Sequence, residues 1–127
     1  MSSLKDKVII ITGAVGNLGH AVAELVQAQG YKTILVDRSS DRLQKIYGEL
    51  KSSSQHWLAG NIDMTDAKSV DAMAAEAYKR FGQLDGLVNT VGGFRGGKPV
   101  HETDLSEWDF HYYSIIPHIT FLRVLRL

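Results

Sequence analysis

Short apolar runs alternate with polar-faced segments along the chain. The first, at residues 8–11, is a continuous β-branched run, and "KTILVD" at residues 32–37 is a second. "QHWLAGNID" at residues 55–63 predicts a shorter third strand, and "LDGLVNT" at residues 84–90 predicts a fourth. Unbroken apolar runs of this length are typical of strands that are buried on both faces.

Between the strands, apolar residues recur at the spacing of one helix face, which predicts a helix in each interval. The face of the first helix is formed by Leu18, Ala21, Val22, Leu25 and Val26. The face of the second helix is formed by Leu43, Ile46, Tyr47 and Leu50. The face of the third helix is formed by Val70, Met73, Ala74, Ala77, Tyr78 and Phe81.

Capping residues bound these helices. Gly30 and Gly82 follow the first and third helices, where glycine commonly ends a helix. Ser39 or Ser40 begins the second helix, because a serine hydroxyl can accept a hydrogen bond from a free N–H of the first turn. Thr65 is predicted to begin the third helix.

A glycine-rich loop at residues 91–99 follows the fourth strand, and a last helix begins at Asp104 or Ser106. Strands joined by helices must be parallel, and right-handed connections then place helices on both faces of the sheet. We therefore predict an α/β fold, a doubly wound parallel sheet in one domain over residues 1–127. The placement of residues 111–127 stays open.

Composition narrows the function classes. The 127 residues include 14 Lys and Arg and 14 Asp and Glu, so no net charge favours nucleic acid or an acidic membrane. There is no cysteine, and His111 and His118 lack an acidic partner at ligand spacing, so we expect no metal. No apolar stretch approaches the roughly 20 residues that span a bilayer. The polar start "MSSLKDK" is unlike a secretory signal, and we expect a cytoplasmic protein.

"TGAVGNLG" at residues 12–19 joins the first strand to the first helix. Gly13 allows a tight exit from the strand, Gly16 lets backbone approach a ligand, and Gly19 lets the helix lie close to the sheet. The helix N-terminus then presents N–H groups to a diphosphate. Asp37 ends the second strand, where an acid binds ribose hydroxyls. The alternatives are a turn that binds nothing and an Asp37 that caps a helix or is solvated.

These motifs make the chain resemble the short-chain dehydrogenase/reductase family over most of its length. "TGAVGNLG" is similar to the glycine motif of the family, although Asn17 stands where the commonest form has glycine. "NIDMTD" is similar to the segment that closes the adenine pocket, which implies that Asp63 faces the adenine amino group and Met64 packs beside the ring. "LVNTVGG" resembles the family's Asn-Asn-Ala-Gly segment, which implies that Asn89 steadies the central sheet.

The resemblance implies a binding site for a nicotinamide dinucleotide. The residues that match are Gly13, Val15, Gly16, Asn17, Leu18, Gly19, Asp37, Arg38, Asp63, Met64, Asn89, Val91 and Gly92. Asp63 and Thr65 can also cap the third helix. NAD is favoured over NADP because Asp37 would repel a 2′-phosphate and no basic residue interrupts the glycine turn. Arg38 keeps NADP open, since its guanidinium can accept that phosphate or stack on adenine.

By the same resemblance, the chain is an oxidoreductase that transfers hydride between nicotinamide and a small carbonyl or alcohol substrate. Family members use a Ser and a Tyr-x-x-x-Lys segment that follow the fourth strand. The match "YGELK" at residues 47–51 lies in the second helix, with Tyr47 on the apolar face, and we interpret it as packing. We expect the sheet to be incomplete after its fourth strand and the chain to be inactive. The alternative is a non-catalytic dinucleotide-binding module.

The C-terminal part departs from the family. Ile115 stands where many members have a catalytic asparagine, and Pro117 interrupts the expected helix. In the loop, Arg95 or Lys98 could meet an anionic substrate, but a solvated loop is the favoured interpretation. The unpaired sheet edge beside the fourth strand and the apolar last helix predict a homo-oligomer.

Overall fold

The computed structural model describes residues 4–115, and in them four strands alternate with four helices. The strands are β1 (Val8–Thr12), β2 (Lys32–Val36), β3 (His56–Ala59) and β4 (Gly86–Asn89). The helices are α1 (Asn17–Ala28), α2 (Ser40–Tyr47), α3 (Ala67–Phe81) and α4 (Leu105–Ile115). The predicted element order is confirmed.

All strand pairs are parallel, in the order β3-β2-β1-β4. One apolar cluster joins Ile10 and Ile34 to Met73 of α3. A second cluster, on the other face, joins Ile11 and Leu35 to Ala23, Leu43 and Tyr47 of α1 and α2. Successive residues of β1 and β2 are therefore buried on opposite faces of the sheet. Because both faces are covered by helices, the apolar residues of these strands run together and do not alternate with polar residues. The predicted doubly wound parallel sheet is confirmed.

Most predicted helix ends are observed. Gly30 and Gly82 have left-handed φ values of 86° and 73°, which glycine adopts without strain. The Ser39 hydroxyl accepts a 3.2 Å hydrogen bond from the Arg42 N–H, as a cap of α2 should. The third helix, predicted to be entered through Thr65, begins two residues later, at Ala67. Asp66 caps α3, because its carboxylate accepts the Lys68 N–H at 3.1 Å.

The apolar face predicted for the first helix is partly wrong. Leu18 and Leu25 are 67% and 63% exposed, whereas Gly19 and Ala23 are buried. Val22 and Val26 pack against the cluster as predicted, and at Gly19 the helix lies directly against the Gly13 backbone. The second helix also ends earlier than predicted, at Tyr47, and a short 3-10 turn covers Gly48–Leu50.

The third and fourth strands are shorter than predicted, since only His56–Ala59 and Gly86–Asn89 pair with neighbours. The last helix begins at Leu105, directly after Asp104. Pro117 and His118 lie outside the described residues. Within residues 4–115, no helix combines the length and apolar character that crossing a bilayer requires.

Candidate functional site

The carboxyl ends of the four strands lie at one edge of the sheet, and the predicted site residues follow them. β1 ends directly before the glycine turn, Asp37 follows β2, and β4 ends at Asn89. Asp63 and Met64 come shortly after β3. Ligands of open parallel sheets bind outside this edge, so it is the candidate site.

The glycine turn is as tight as its sequence predicts. Gly13 has a left-handed φ of 69°, and its carbonyl accepts the Gly16 N–H at 3.0 Å. A Cβ on Gly19 would overlap the Gly13 carbonyl oxygen and would lie 2.8 Å from the carbonyl carbon. Both positions therefore need glycine, and α1 starts in contact with the end of β1.

The start of α1 presents free hydrogen-bond donors. Its first intrahelical bond runs from the His20 N–H to the Gly16 carbonyl, at 2.8 Å. Within the described residues, the N–H groups of Asn17, Leu18 and Gly19 donate no hydrogen bond. Three donors at the positive end of a helix dipole are suited to an anion.

Asp37 lies between the glycine turn and α2. Its carboxylate accepts the Ser39 N–H at 3.0 Å and makes a long, 3.5 Å contact with the Val15 N–H. Its own N–H donates to the Ala59 carbonyl at 3.2 Å, so neighbouring strands hold its backbone. Ser39, not Asp37, caps α2. Asp37 is thus tied to the turn, while Arg38 beside it is exposed.

Asn89 connects the ends of the two central strands. Its side-chain oxygen accepts the Thr12 hydroxyl at 2.5 Å and the Val91 N–H at 3.3 Å. The amide therefore holds the start of the glycine-rich loop against the end of β1.

A cleft of about 510 Å³ opens beside this edge. Five of the predicted site residues line it: Arg38, Asp63, Met64, Val91 and Gly92. The Asp63 carboxylate accepts both the N–H and the hydroxyl of Thr65, at 2.9 and 2.7 Å. That contact orders the segment before α3. The alternative that Asp63 and Thr65 cap the third helix is wrong, because Asp66 is the cap.

The opposite side of the cleft was not predicted. It is lined by α4 residues, namely Ser106, Asp109, Phe110 and Ser114. Their spacing marks one helix face, but nothing local in the sequence shows what that face lies against. The glycine-turn residues do not line this cleft: Gly13, Val15, Gly16, Asn17, Leu18 and Gly19 lie at the same sheet edge, on the Asp37 side.

Tyr47 packs in the core, as interpreted from its sequence. It is 4% exposed, and its hydroxyl donates a 2.7 Å hydrogen bond to the Ala14 carbonyl. Burial, with smaller contributions from Glu24 and Asp37, raises the pKa of Tyr47 to about 12. A general acid for this chemistry needs a pKa nearer the working pH, so Tyr47 is unsuited to that task.

Arg95 and Lys98 both have partners near α4. The Arg95 guanidinium lies 3.9 Å from the Phe110 ring centre, and the His111 ring nitrogen Nε2 donates to the Arg95 carbonyl at 2.8 Å. Lys98 lies 3.7 Å from the Asp104 carboxylate. The loop is therefore solvent-exposed but attached to α4, which differs from a freely solvated loop.

Sequence comparisons agree with these features. A family model for short chain dehydrogenases matches residues 7–113. An uncharacterized oxidoreductase of Staphylococcus aureus is 32% identical over 109 residues, which cover 86% of this chain and 46% of that protein. The 2,3-dihydro-2,3-dihydroxybenzoate dehydrogenase of Bacillus subtilis is 32% identical over 106 residues, covering 84% of this chain and 40% of that protein. The chain thus spans less than half the length of these curated relatives.

Solved structures share the fold. A 3-ketoacyl-(acyl-carrier-protein) reductase from Brucella melitensis, complexed with NADH, has a TM-score of 0.80 and 27% identity over 94% of this chain and 48% of that one. A metagenomic short-chain oxidoreductase in complex with NADP has a TM-score of 0.81 and 25% identity over 98% of this chain and 57% of that one. The sheet is thus of the Rossmann type. With the family match over residues 7–113, this shows that the chain belongs to the short-chain dehydrogenase/reductase family.

Proposed function

We propose that this chain is the cofactor-binding part of an NAD-dependent oxidoreductase that interconverts a small carbonyl compound and its alcohol. The relatives are oxidoreductases, and two structural neighbours hold NADH or NADP. The activity of the whole protein is inferred from them, because the chain covers 46% of the Staphylococcus relative.

One observation carries the proposal. The free N–H groups at the start of α1 and the Asp37 carboxylate lie at one sheet edge and are linked through the 3.5 Å contact between Val15 and Asp37. A dinucleotide needs this pair of features, a diphosphate site next to an acceptor for ribose hydroxyls. The adjoining cleft, with Asp63 and Met64 on one side, is the proposed adenine site.

Asp37 also supports the preference for NAD. In the proposed site the Asp37 carboxylate binds the ribose hydroxyls, and a phosphate on the 2′-hydroxyl would be repelled by the like charge. Arg38 is the cation nearest in sequence, and it lines the cleft. The carboxylate is held by the Ser39 N–H at 3.0 Å and lies 3.5 Å from the Val15 N–H of the glycine turn.

A bound nicotinamide supplies the hydride chemistry. The residues of this chain bind and orient the dinucleotide, and Asn89 holds the loop beside the cleft. Proton transfer is a separate requirement, and the Tyr-x-x-x-Lys match at residues 47–51 does not meet it because Tyr47 is buried and has a pKa of about 12. We infer that residues 1–127 alone bind the dinucleotide without useful turnover.

The free N–H groups of α1 and the nearby Asp37 carboxylate also favour a second candidate function, a non-catalytic dinucleotide-binding module. The two candidates share the cofactor site and differ in whether a serine and a working Tyr-x-x-x-Lys segment accompany it. The sequence of the intact gene product distinguishes them. So does an assay of the intact protein for NADH oxidation with a panel of ketones and aldehydes.

We further infer that copies of the chain associate. Within residues 4–115, β4 pairs with β1 alone, so its other edge offers unpaired N–H and carbonyl groups. α4 adds an exposed stripe, in which Leu105, Trp108 and Tyr112 are 84%, 69% and 44% exposed. Apolar side chains at this helical spacing are suited to pack against a second copy.

Calorimetric titration of the purified 127-residue chain with NADH and with NADPH tests the cofactor site. We expect saturable binding of both, with NADH tighter. Tighter NADPH binding would show that the assigned preference is wrong, and binding of neither would refute the site.

A further inference from the structure

The backbone N–H and the backbone carbonyl of Ala14 are bonded to β2 and α2, respectively. Its N–H donates to the Val36 carbonyl of β2 at 3.2 Å, and its carbonyl accepts the Tyr47 hydroxyl of α2 at 2.7 Å. Ala14 is completely buried, so water cannot replace either partner. The Tyr47 ring packs edge-on against His20 of α1, with 5.5 Å between ring centres. The hydroxyl is therefore fixed in place at the back of the turn.

The backbone N–H and the backbone carbonyl of Val15 are bonded in the same way. Its N–H makes the 3.5 Å contact with the Asp37 carboxylate, and its carbonyl accepts Arg42 Nη2 at 3.3 Å. Arg42 lies in the first turn of α2, five residues before Tyr47. All four polar backbone atoms of two consecutive turn residues thus bond to the β2–α2 segment.

We propose that Tyr47 and Arg42 are positioning residues, which hold the glycine turn in the one conformation that directs the first N–H groups of α1 toward the diphosphate of the cofactor. The inference rests on the proposed dinucleotide site. It gives the "YGELK" tyrosine a function in binding that is separate from proton transfer.

The two residues would affect cofactor affinity because the glycine turn can adopt several backbone conformations when it is not held. Gly13 and Gly16 flank the two held residues, and glycine has a wide choice of backbone conformations. The apparent affinity of a ligand that binds one conformation is its intrinsic affinity multiplied by the fraction of protein in that conformation. One intramolecular hydrogen bond changes such a ratio by about 3- to 10-fold. That is the expected loss of affinity for ligands with a diphosphate.

Tyr47→Phe is the main test, since it keeps the ring and removes only the donor. Tyr78→Phe is the matched control, because Tyr78 is 39% exposed on α3 and its hydroxyl has no hydrogen bond within the described residues. Affinities for NADH, ADP-ribose and adenosine are measured for both variants and the wild type. We expect Tyr47→Phe to bind NADH and ADP-ribose about 3- to 10-fold more weakly, with adenosine within about twofold.

Arg42→Gln is the second variant, and it tests the same proposal independently if Tyr47→Phe does not fold. Arg42 is exposed, so its loss does not open the core. Lys45→Gln removes the same charge from the same helix without touching the turn, which separates the Val15 contact from a general loss of positive charge. We expect a selective loss for NADH and ADP-ribose with Arg42→Gln and none with Lys45→Gln.

Amide hydrogen exchange of the free protein gives a ligand-independent measurement. Exchange at the Ala14 and Gly16 amides, which donate hydrogen bonds in the wild type, is expected to quicken in Tyr47→Phe, with the β2 amides unchanged. If Tyr47→Phe weakens adenosine binding as much as NADH binding, the positioning role is wrong. It is also wrong if the variant changes neither the amide exchange rates of the turn nor the affinity for NADH. If the wild type binds neither NADH nor ADP-ribose, the proposed function is wrong. If the wild type and Tyr47→Phe bind both ligands equally well, the dinucleotide site stands and only the positioning role is wrong.

Discussion

The Thr90 hydroxyl donates a 2.7 Å hydrogen bond to the Thr12 carbonyl and thereby closes the gap between the ends of β4 and β1. The same oxygen lies where side chains on the glycine turn would have to go. A Cβ would be 2.7 Å from it at Gly13 and 2.9 Å from it at Gly19. The two strand ends therefore leave no room for a side chain at Gly13 or at Gly19.

Gly19→Ala is expected to destabilise the fold by about 1–3 kcal/mol, because the added methyl overlaps the backbone at Gly13, which cannot yield as a flexible side chain does. Dinucleotide binding should be lost as well. Chemical denaturation measures the change in unfolding free energy. Gly48→Ala is the control, since the methyl there meets only the movable end of Gln44. Equal stability of the Gly19→Ala variant would contradict the close approach of α1.

Asp37→Ala is expected to narrow or reverse the preference for NADH over NADPH, because it removes a charge that repels the 2′-phosphate. Titration with both cofactors measures the ratio of dissociation constants. Asp71→Ala, a change at an exposed acid of α3, should leave the ratio unchanged. An unaltered ratio in Asp37→Ala would remove Asp37 from the proposed site.

Asp85 is expected to stabilise the fold most above pH 4. Burial alone would raise the pKa of Asp85, but the Val8 N–H, Lys7 and Gln83 outweigh it and hold the pKa below its usual value. The stabilisation is therefore present above the unfolded pKa and is lost as the pH falls through the folded one. Asp85→Asn should cost about 1 kcal/mol at pH 7 and progressively less below pH 4.

Denaturation midpoints between pH 2 and pH 7 check this difference, with Asp71→Asn as the exposed control. Asp85 and Lys7 lie at the amino ends of β4 and β1, opposite the candidate site. NADH affinity should therefore be the same in Asp85→Asn as in the wild type. A stability difference between the wild type and Asp85→Asn that grows as the pH falls would mean that Val8, Lys7 and Gln83 do not stabilise the carboxylate.

Tyr47 has the opposite pH dependence. Its pKa in the folded chain is about 12, above its ordinary value, so the fold favours the protonated hydroxyl. The resulting stabilisation is complete below about pH 10 and declines as the pH rises toward 12. The stability difference between the wild type and Tyr47→Phe should therefore shrink by about 1–2 kcal/mol over that interval. A difference that stays constant to pH 12 would show that Tyr47 titrates normally.

Association is tested by sedimentation at tens of micromolar protein, where we expect a dimer or larger species. Trp108→Lys, in the middle of the exposed α4 stripe, should shift the protein toward the monomer. Phe94→Lys is the control, because Phe94 is 87% exposed but lies outside the stripe. A monodisperse wild-type monomer would contradict the proposed association.

Strand ends show where sequence pattern stops being sufficient. "QHWLAGNID" predicted a strand over residues 55–63, but β3 ends at Ala59 because only its four residues pair with β2. Gly60 packs against Ser40, and Asn61 turns the chain with a φ of 58°. Hydrophobicity reports burial and not strand pairing, and the chain passes within two residues from the buried Ala59 to the exposed Asn61. The extent of pairing depends on the neighbouring strand.

The sequence by itself determined the element order, the parallel sheet, the glycine turn and the acid at the end of β2, because each depends on periodicity or on residues close together in the chain. Tertiary structure alone decided which face of α1 is buried, why Tyr47 bonds to Ala14, and that α4 forms one side of the cleft. These contacts join residues far apart in sequence, such as Thr12 and Thr90. Their geometry follows from how closely helices and strands pack, which local pattern does not specify.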